Sequence, residues 1–167
     1  RRHGGRRVQG DAAETVAALR KYHIEKCVLS SSLLVYDCAE GNRQVEAAIA
    51  GHPSLLAYVA VDPNDLAGSC AEMDRCFRLD NFVGVGELHC SHSRQDTASP
   101  AVRALVAEVA KRGRPLLIHN DGPDYATALL ELARAHPRLK IIVAHAGPGW
   151  PDAAAFAAAA QADNLYL

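Results

Sequence analysis

Three apolar runs in this chain end alike, and that ending limits what it can fold into. Phe82-Val83-Gly84-Val85-Gly86 leads to Glu87-Leu88-His89. Leu116-Leu117-Ile118 leads to His119-Asn120-Asp121-Gly122. Ile141-Ile142-Val143-Ala144 leads to His145-Ala146-Gly147. Short, wholly apolar runs read as strands buried on both faces. Helical stretches separate them, SPAVRALVAEVAKRG and then YATALLELARAHP. Strand, helix and strand joined by short loops point to parallel α/β architecture.

The alternation continues in both directions. Strands are expected near residues 24–29, 55–61, 82–88, 115–119, 141–145 and 164–167. DAAETVAALRKY predicts a helix capped by Asp11, with Ala13, Val16, Ala17 and Leu19 turned inward. NRQVEAAIAGHP predicts a second helix, closed by Gly51 and Pro53. Pro63 opens the helical stretch NDLAGSCAEMDRCFR, Ser99 and Pro100 start the next helix, and Pro151 starts DAAAFAAAAQA. No linker or low-complexity tract interrupts the pattern, so residues 1–167 read as a single domain. A complete barrel needs eight strands and usually about 250 residues. If the sheet is a barrel, residues 1–167 form a single partial (β/α) barrel domain, TIM-barrel-like with about six of eight strands and lacking the first and the last. An open, doubly wound sheet is the other solution, and element order alone does not choose between them.

Composition narrows the function classes. The chain has 18 Lys and Arg against 19 Asp and Glu, a formal charge of -1, so nothing general attracts nucleic acid or an anionic membrane. Arg1, Arg2, Arg6 and Arg7 read as a solvated end. The five cysteines are odd in number and include no Cys-x-x-Cys pair, which suits reduced thiols in a cytoplasmic protein. No run is long enough to span a bilayer, and the start lacks a signal-peptide core. The expected partner is a small-molecule substrate, with no nucleic acid and no membrane; self-association into a homo-oligomer stays open.

In parallel α/β folds the working end is the C-terminal end of the strands. Glu87, His119 and His145 all fall there, and carboxylate and imidazole are ordinary ligands for zinc and similar ions. The alternatives are structural: a histidine bonded to a loop, or Glu87 paired with Arg114 or Lys111. His89, two residues beyond Glu87, is the candidate general acid–base, with a fourth ligand or a substrate contact as alternatives. Asn120 and Asp121 are candidate substrate-binding residues, unless Asp121 only forms the Asp-Gly turn. His92 and Ser91 read as loop residues, and Asp62 and Ser30 as further candidates for the same cavity. Cys90 has no evident base beside it, which argues against cysteine chemistry. Gly84 and Gly86 lie inside a strand and open no phosphate-binding helix, so they are expected to permit close packing or a bend.

LLAYVAVDPND, FVGVGELHC, RPLLIHNDG, LKIIVAHAGPGWPD and NLYL together resemble the amidohydrolase superfamily, in its metal-dependent TIM-barrel branch of hydrolases and nonoxidative decarboxylases. The resemblance implies a His-x-His pair on a first strand, a Lys or Glu on a middle strand, one His on each of two later strands and an Asp on the last. Glu87 matches the middle position, His119 and His145 match the later histidines, and His89 falls in a Leu-His pair common after the middle ligand. No opening His-x-His and no final Asp are found. The resemblance thus implies a divalent metal, zinc first and manganese second, in a parent protein that hydrolyses an ester, lactone or amide-type bond through activated water. It also implies that this chain alone lacks essential ligands. Hydrolysis is preferred because Glu87 adds a water-orienting or second-metal ligand; a nonoxidative decarboxylase and a non-catalytic barrel fragment are the rivals.

Overall fold

A computed structural model describes residues 11–31, 37–119, 125–145, 157 and 161–167. Six strands form one parallel sheet in the order β1 (Cys27–Leu29), β2 (Leu55–Val59), β3 (Phe82–Leu88), β4 (Leu116–Ile118), β5 (Ile141–Val143) and β6 (Leu165–Tyr166). The spatial order is the sequence order, with no reversal. A doubly wound sheet must reverse direction at a switch point, whereas right-handed crossovers that only advance lay every helix on one face. The sheet is therefore an incomplete TIM barrel, with six parallel strands among the described residues.

Among the described residues, five helices alternate with the strands: α1 (Ala12–Lys21), α2 (Cys38–Ile49), α3 (Leu66–Cys76), α4 (Pro100–Lys111) and α5 (Tyr125–Ala135). Each of the first four starts at a side chain that accepts from a backbone N–H otherwise left without a partner. Asp11 takes Glu14 N at 2.7 Å, Asp37 takes Glu40 N at 2.9 Å, Asp65 takes Gly68 N at 2.9 Å and Ser99 takes Val102 N at 3.3 Å. Such caps stabilise a helix by about 1 kcal/mol each. Asp37 explains why α2 begins at Cys38, earlier than the expected Asn42. Pro63 sits in the preceding turn, and Asp65 sets the start of α3. In α1 the inward face is Ala12, Val16 and Leu19, spaced at one helical stripe; Ala13 and Ala17 lie off that stripe and are exposed, contrary to expectation. The alanine-rich stretch after Pro151 lies almost wholly outside the described residues.

The expectation that the strands are buried on both faces is also corrected. Leu55, Ala57 and Val59 of β2, Leu116 and Ile118 of β4 and Ile141 of β5 are fully buried in one cluster with Met73, Leu105, Val109 and Leu129 of the helices. Their neighbours Leu56, Tyr58, Leu117 and Ile142 point to the opposite face and are half-buried. Helices cover one side of the sheet, and the concave side has no such layer among the described residues.

Candidate metal centre

Register in the sheet slips twice. Ala57 and Tyr58 of β2 pair with Phe82 and Gly84, and Val85 and Leu88 of β3 pair with Leu116 and Ile118. The second slip leaves an extra residue on β3 around Gly86 and Glu87, and a bulge of this kind re-aims a side chain. The two glycines make it fit. A Cβ on Gly84 would lie 2.6 Å from Tyr58 Cε1 and 2.8 Å from the Pro115 carbonyl oxygen. One on Gly86 would lie 2.6 Å from the Leu117 carbonyl oxygen, and Gly86 has a φ of +142°. They serve close approach and a bend.

Past the bulge, Glu87 meets the histidines that follow β4 and β5. Its Oε1 lies 2.6 Å from His119 Nδ1 and 3.2 Å from His145 Nε2. The imidazole of His89 joins them, with Nε2 at 3.5 Å from the same oxygen. His89 stacks on His119 with ring centroids 3.9 Å apart, and His119 meets His145 edge-on at 4.9 Å. Backbone bonds fix the platform: His119 N donates to Leu88 O at 2.9 Å, and Ala144 N to Ile118 O at 2.8 Å. His145 has a φ of 61°, in the left-handed region that histidine enters more readily than most side chains.

One ligand atom from each of Glu87, His119 and His145 lies within 4.8 Å of the others, and two imidazoles with one carboxylate are a donor set suited to a divalent cation. Glu87 retains 17% of its side-chain exposure and His145 53%, so the carboxylate is the more enclosed of the two and the imidazole the more accessible. The alternative partners for Glu87 are otherwise engaged: Lys111 pairs with Glu108 at 2.5 Å, and the Arg114 guanidinium lies over the Phe77 ring. Asn120 and Asp121 lie outside the described residues.

A cavity of about 460 Å³ adjoins the cluster without including its three ligands. It is lined by the loops after β1, β2 and β3, with Asp37, Asp62, Asp65, Glu72 and His92 among its residues. Asp62 thus faces a neighbouring space, and Ser30 is simply exposed. Burial pushes the Cys38 thiol up to about 12, helped by the carboxylates of Asp62, Asp37, Glu72 and Asp65, which favours the thiol over the thiolate. The five cysteines form no disulfide.

Comparison with known proteins adds the family. The amidohydrolase family model matches residues 32–167. The chain belongs to the amidohydrolase family. No curated protein sequence matches it significantly. Among solved structures, 2,6-dihydroxybenzoate decarboxylase from Rhizobium is similar at 18% identity and a TM-score of 0.66, over 90% of this chain and 67% of that one. The 5-carboxyvanillate decarboxylase of Sphingomonas paucimobilis gives 18%, 0.55, 82% and 51%. An uncharacterized TIM-barrel protein from Bordetella bronchiseptica gives 15%, 0.62, 93% and 58%. These likenesses are of fold, and this amidohydrolase chain spans between about half and two thirds of the length of those relatives. No helix among the described residues is long and apolar enough to cross a membrane.

Sequence reasoning set His92 aside as a loop residue and missed Asn64 and Gln95 altogether. Asn64 Nδ2 donates to Ser93 O at 2.8 Å, and Gln95 Nε2 donates to Asn64 Oδ1 at 2.6 Å. Their only signal was polar residues in loops, which carries no partner information.

Proposed function

We propose that this amidohydrolase chain belongs to a divalent-metal-dependent nonoxidative decarboxylase of small hydroxylated aromatic or enolic carboxylic acids. The observation that carries the reading is the meeting of Glu87, His119 and His145 at the ends of three successive strands. Their donor set fits zinc best, with manganese second. When bound, the ion supplies positive charge for the substrate's carboxylate and adjacent oxygen. His89, stacked on His119, holds a proton at Nε2 for delivery to the carbon that loses carbon dioxide. Asn120 and Asp121 are proposed to contact substrate. Residues 1–167 are read as one partial barrel domain.

The preference for decarboxylation over the hydrolysis expected from sequence draws on the two fold relatives named as decarboxylases of hydroxylated benzoates. Hydrolysis of an ester, lactone or amide is the second reading, favoured by Glu87 as a group able to orient an attacking water. The test incubates the zinc-loaded protein with a panel of hydroxybenzoic acids and a panel of aryl esters and lactones. Release of carbon dioxide from the acids supports the proposal. Turnover of the esters or lactones alone replaces it with hydrolysis.

A further inference from the structure

One side chain ties the loop after β2 to the loop after β3. Asn64 Nδ2 donates to Ser93 O at 2.8 Å, and Asn64 Oδ1 accepts from Gln95 Nε2 at 2.6 Å. The Ser93 carbonyl can only accept, so it takes the amide N–H of Asn64 and leaves the oxygen for Gln95. Asn64 stands on a firm base. Its own N donates to Asp62 Oδ1 at 2.9 Å. Ser69, buried on α3, donates from Oγ to Asp62 O and accepts from Asp62 N, both at 2.9 Å. The loop after β3 is wound on itself by backbone bonds from Ser93 N to His89 O at 3.3 Å, Arg94 N to Ser91 O at 3.0 Å and Gln95 N to Cys90 O at 2.9 Å. Those bonds set its shape, and Asn64 holds that shape against the neighbouring loop.

Both loops line the cavity of about 460 Å³, the first through Asp62, Asn64 and Asp65 and the second through His92, Ser93 and Arg94. His92 places that cavity beside the metal centre: its Nδ1 lies 3.2 Å from His89 Nδ1, and His89 Nε2 lies 3.5 Å from Glu87 Oε1. A wall that is in place before a ligand arrives spares the cost of ordering it on binding.

We propose that Asn64 is a positioning residue that latches the loop after β3 to the loop after β2, and so fixes one wall of the cavity that takes the part of the substrate remote from the metal. The catalytic consequence rests on the reaction proposed above; the latch does not. The latch acts on the wall and not on the strand ends that carry Glu87, His119 and His145, so its loss weakens substrate binding more than turnover.

Hydrogen exchange tests the latch without substrate. Asn64→Ala should speed exchange at the Arg94 amide by about tenfold while the urea midpoint stays near the parental value. Gln95→Ala removes one of the two bonds and should give a smaller acceleration. Added to Asn64→Ala, it should change Arg94 no further. Unchanged exchange in Asn64→Ala, or additive effects in the double variant, overturns the proposal. Kinetics test the consequence on whichever acid or ester the parent turns over. Asn64→Ala should raise KM by about tenfold, with kcat held within about twofold. Asn64→Asp keeps the acceptor for Gln95 but sets an oxygen against Ser93 O, so it should fare no better. An unchanged KM in Asn64→Ala, or a parental KM in Asn64→Asp, overturns the positioning role. A parent that turns over neither acids nor esters refutes the proposed reaction and the wall's part in it, while exchange still decides the latch.

Discussion

Glu87 Oε1 and His119 Nδ1 stand 2.6 Å apart, although 32 residues and a whole helix separate them in sequence. A contact this short joins β3 to β4 at their C-terminal ends and brings the carboxylate within reach of His145 as well. Without a cation the oxygen is a hydrogen-bond acceptor; with one it becomes a ligand. Ala at Glu87, His119 or His145 should therefore weaken Zn²⁺ binding by at least about a hundredfold, more than the loss of a supporting hydrogen bond alone. Elemental analysis of the dialysed variants measures this. Unchanged stoichiometry in all three removes the assignment.

Gly86→Ala should be the more damaging of the two glycine changes on β3. Its Cβ would press on backbone, the Leu117 carbonyl, at a φ of +142°. Gly84→Ala meets the edge of the Tyr58 ring as well as the Pro115 carbonyl, and the half-buried ring can move in part. Both variants should lose stability in urea, with Gly86→Ala also losing metal because Glu87 is the next residue. A Gly86→Ala variant with parental stability and metal content contradicts this account.

Asn42 is 1% exposed and reaches across from α2 to the residue that follows β2. Its Oδ1 accepts from Ala60 N at 2.8 Å, and its Nδ2 donates to Ala60 O at 3.1 Å and to Glu72 Oε2 at 3.1 Å. Asn42→Ala strands both backbone groups of the buried Ala60 and should cost about 2–4 kcal/mol. Asn42→Asp keeps the acceptor, loses the donor and faces Glu72 with a second carboxylate, so it should fare no better. Chemical denaturation decides; a loss within about 0.5 kcal/mol for both, the range of a featureless surface change, would refute the bridge.

Burial alone would raise the Glu72 carboxyl, but hydrogen bonds from Arg75 and Asn42 outweigh it and hold the group below its ordinary 4.5. A carboxyl lowered on folding stabilises the fold above its unfolded value, and the contribution is lost as pH falls through the folded value. Stability should therefore decline below about pH 4.5, with Glu72→Gln flattening part of that decline. Urea midpoints measured between neutral and acid pH test it. Parallel curves for parent and variant would show that Glu72 has no part in the acid limb.

Most of the sheet was legible because apolar runs have a physical reason to stop. β3 was read to the residue, Phe82 to Leu88, since a glycine-spaced apolar run has no helical period. Strand ends elsewhere were placed too far out, as at Ala144 and His145, because side-chain polarity cannot show where a ladder of backbone bonds ends. The site was legible by type: strand-end Glu87, His119 and His145 were singled out together. Their distances were not, because the bulge that turns Glu87 depends on Leu117 and Tyr58, residues that nothing local to β3 reveals. Asn42 was hidden inside a helical stripe, since its partner Ala60 is a main-chain group. Whether the sheet advances or reverses is likewise decided by crossover direction, which composition does not encode.

Strand order that never departs from sequence order has a consequence for biosynthesis. Each strand finds its partner already laid down by the segment translated just before it, so pairing never waits for a distant stretch of polypeptide. Assembly can keep pace with the ribosome, one strand and one helix at a time. At every stage the newest strand docks on an edge that the preceding one has just exposed, as β6 does on β5.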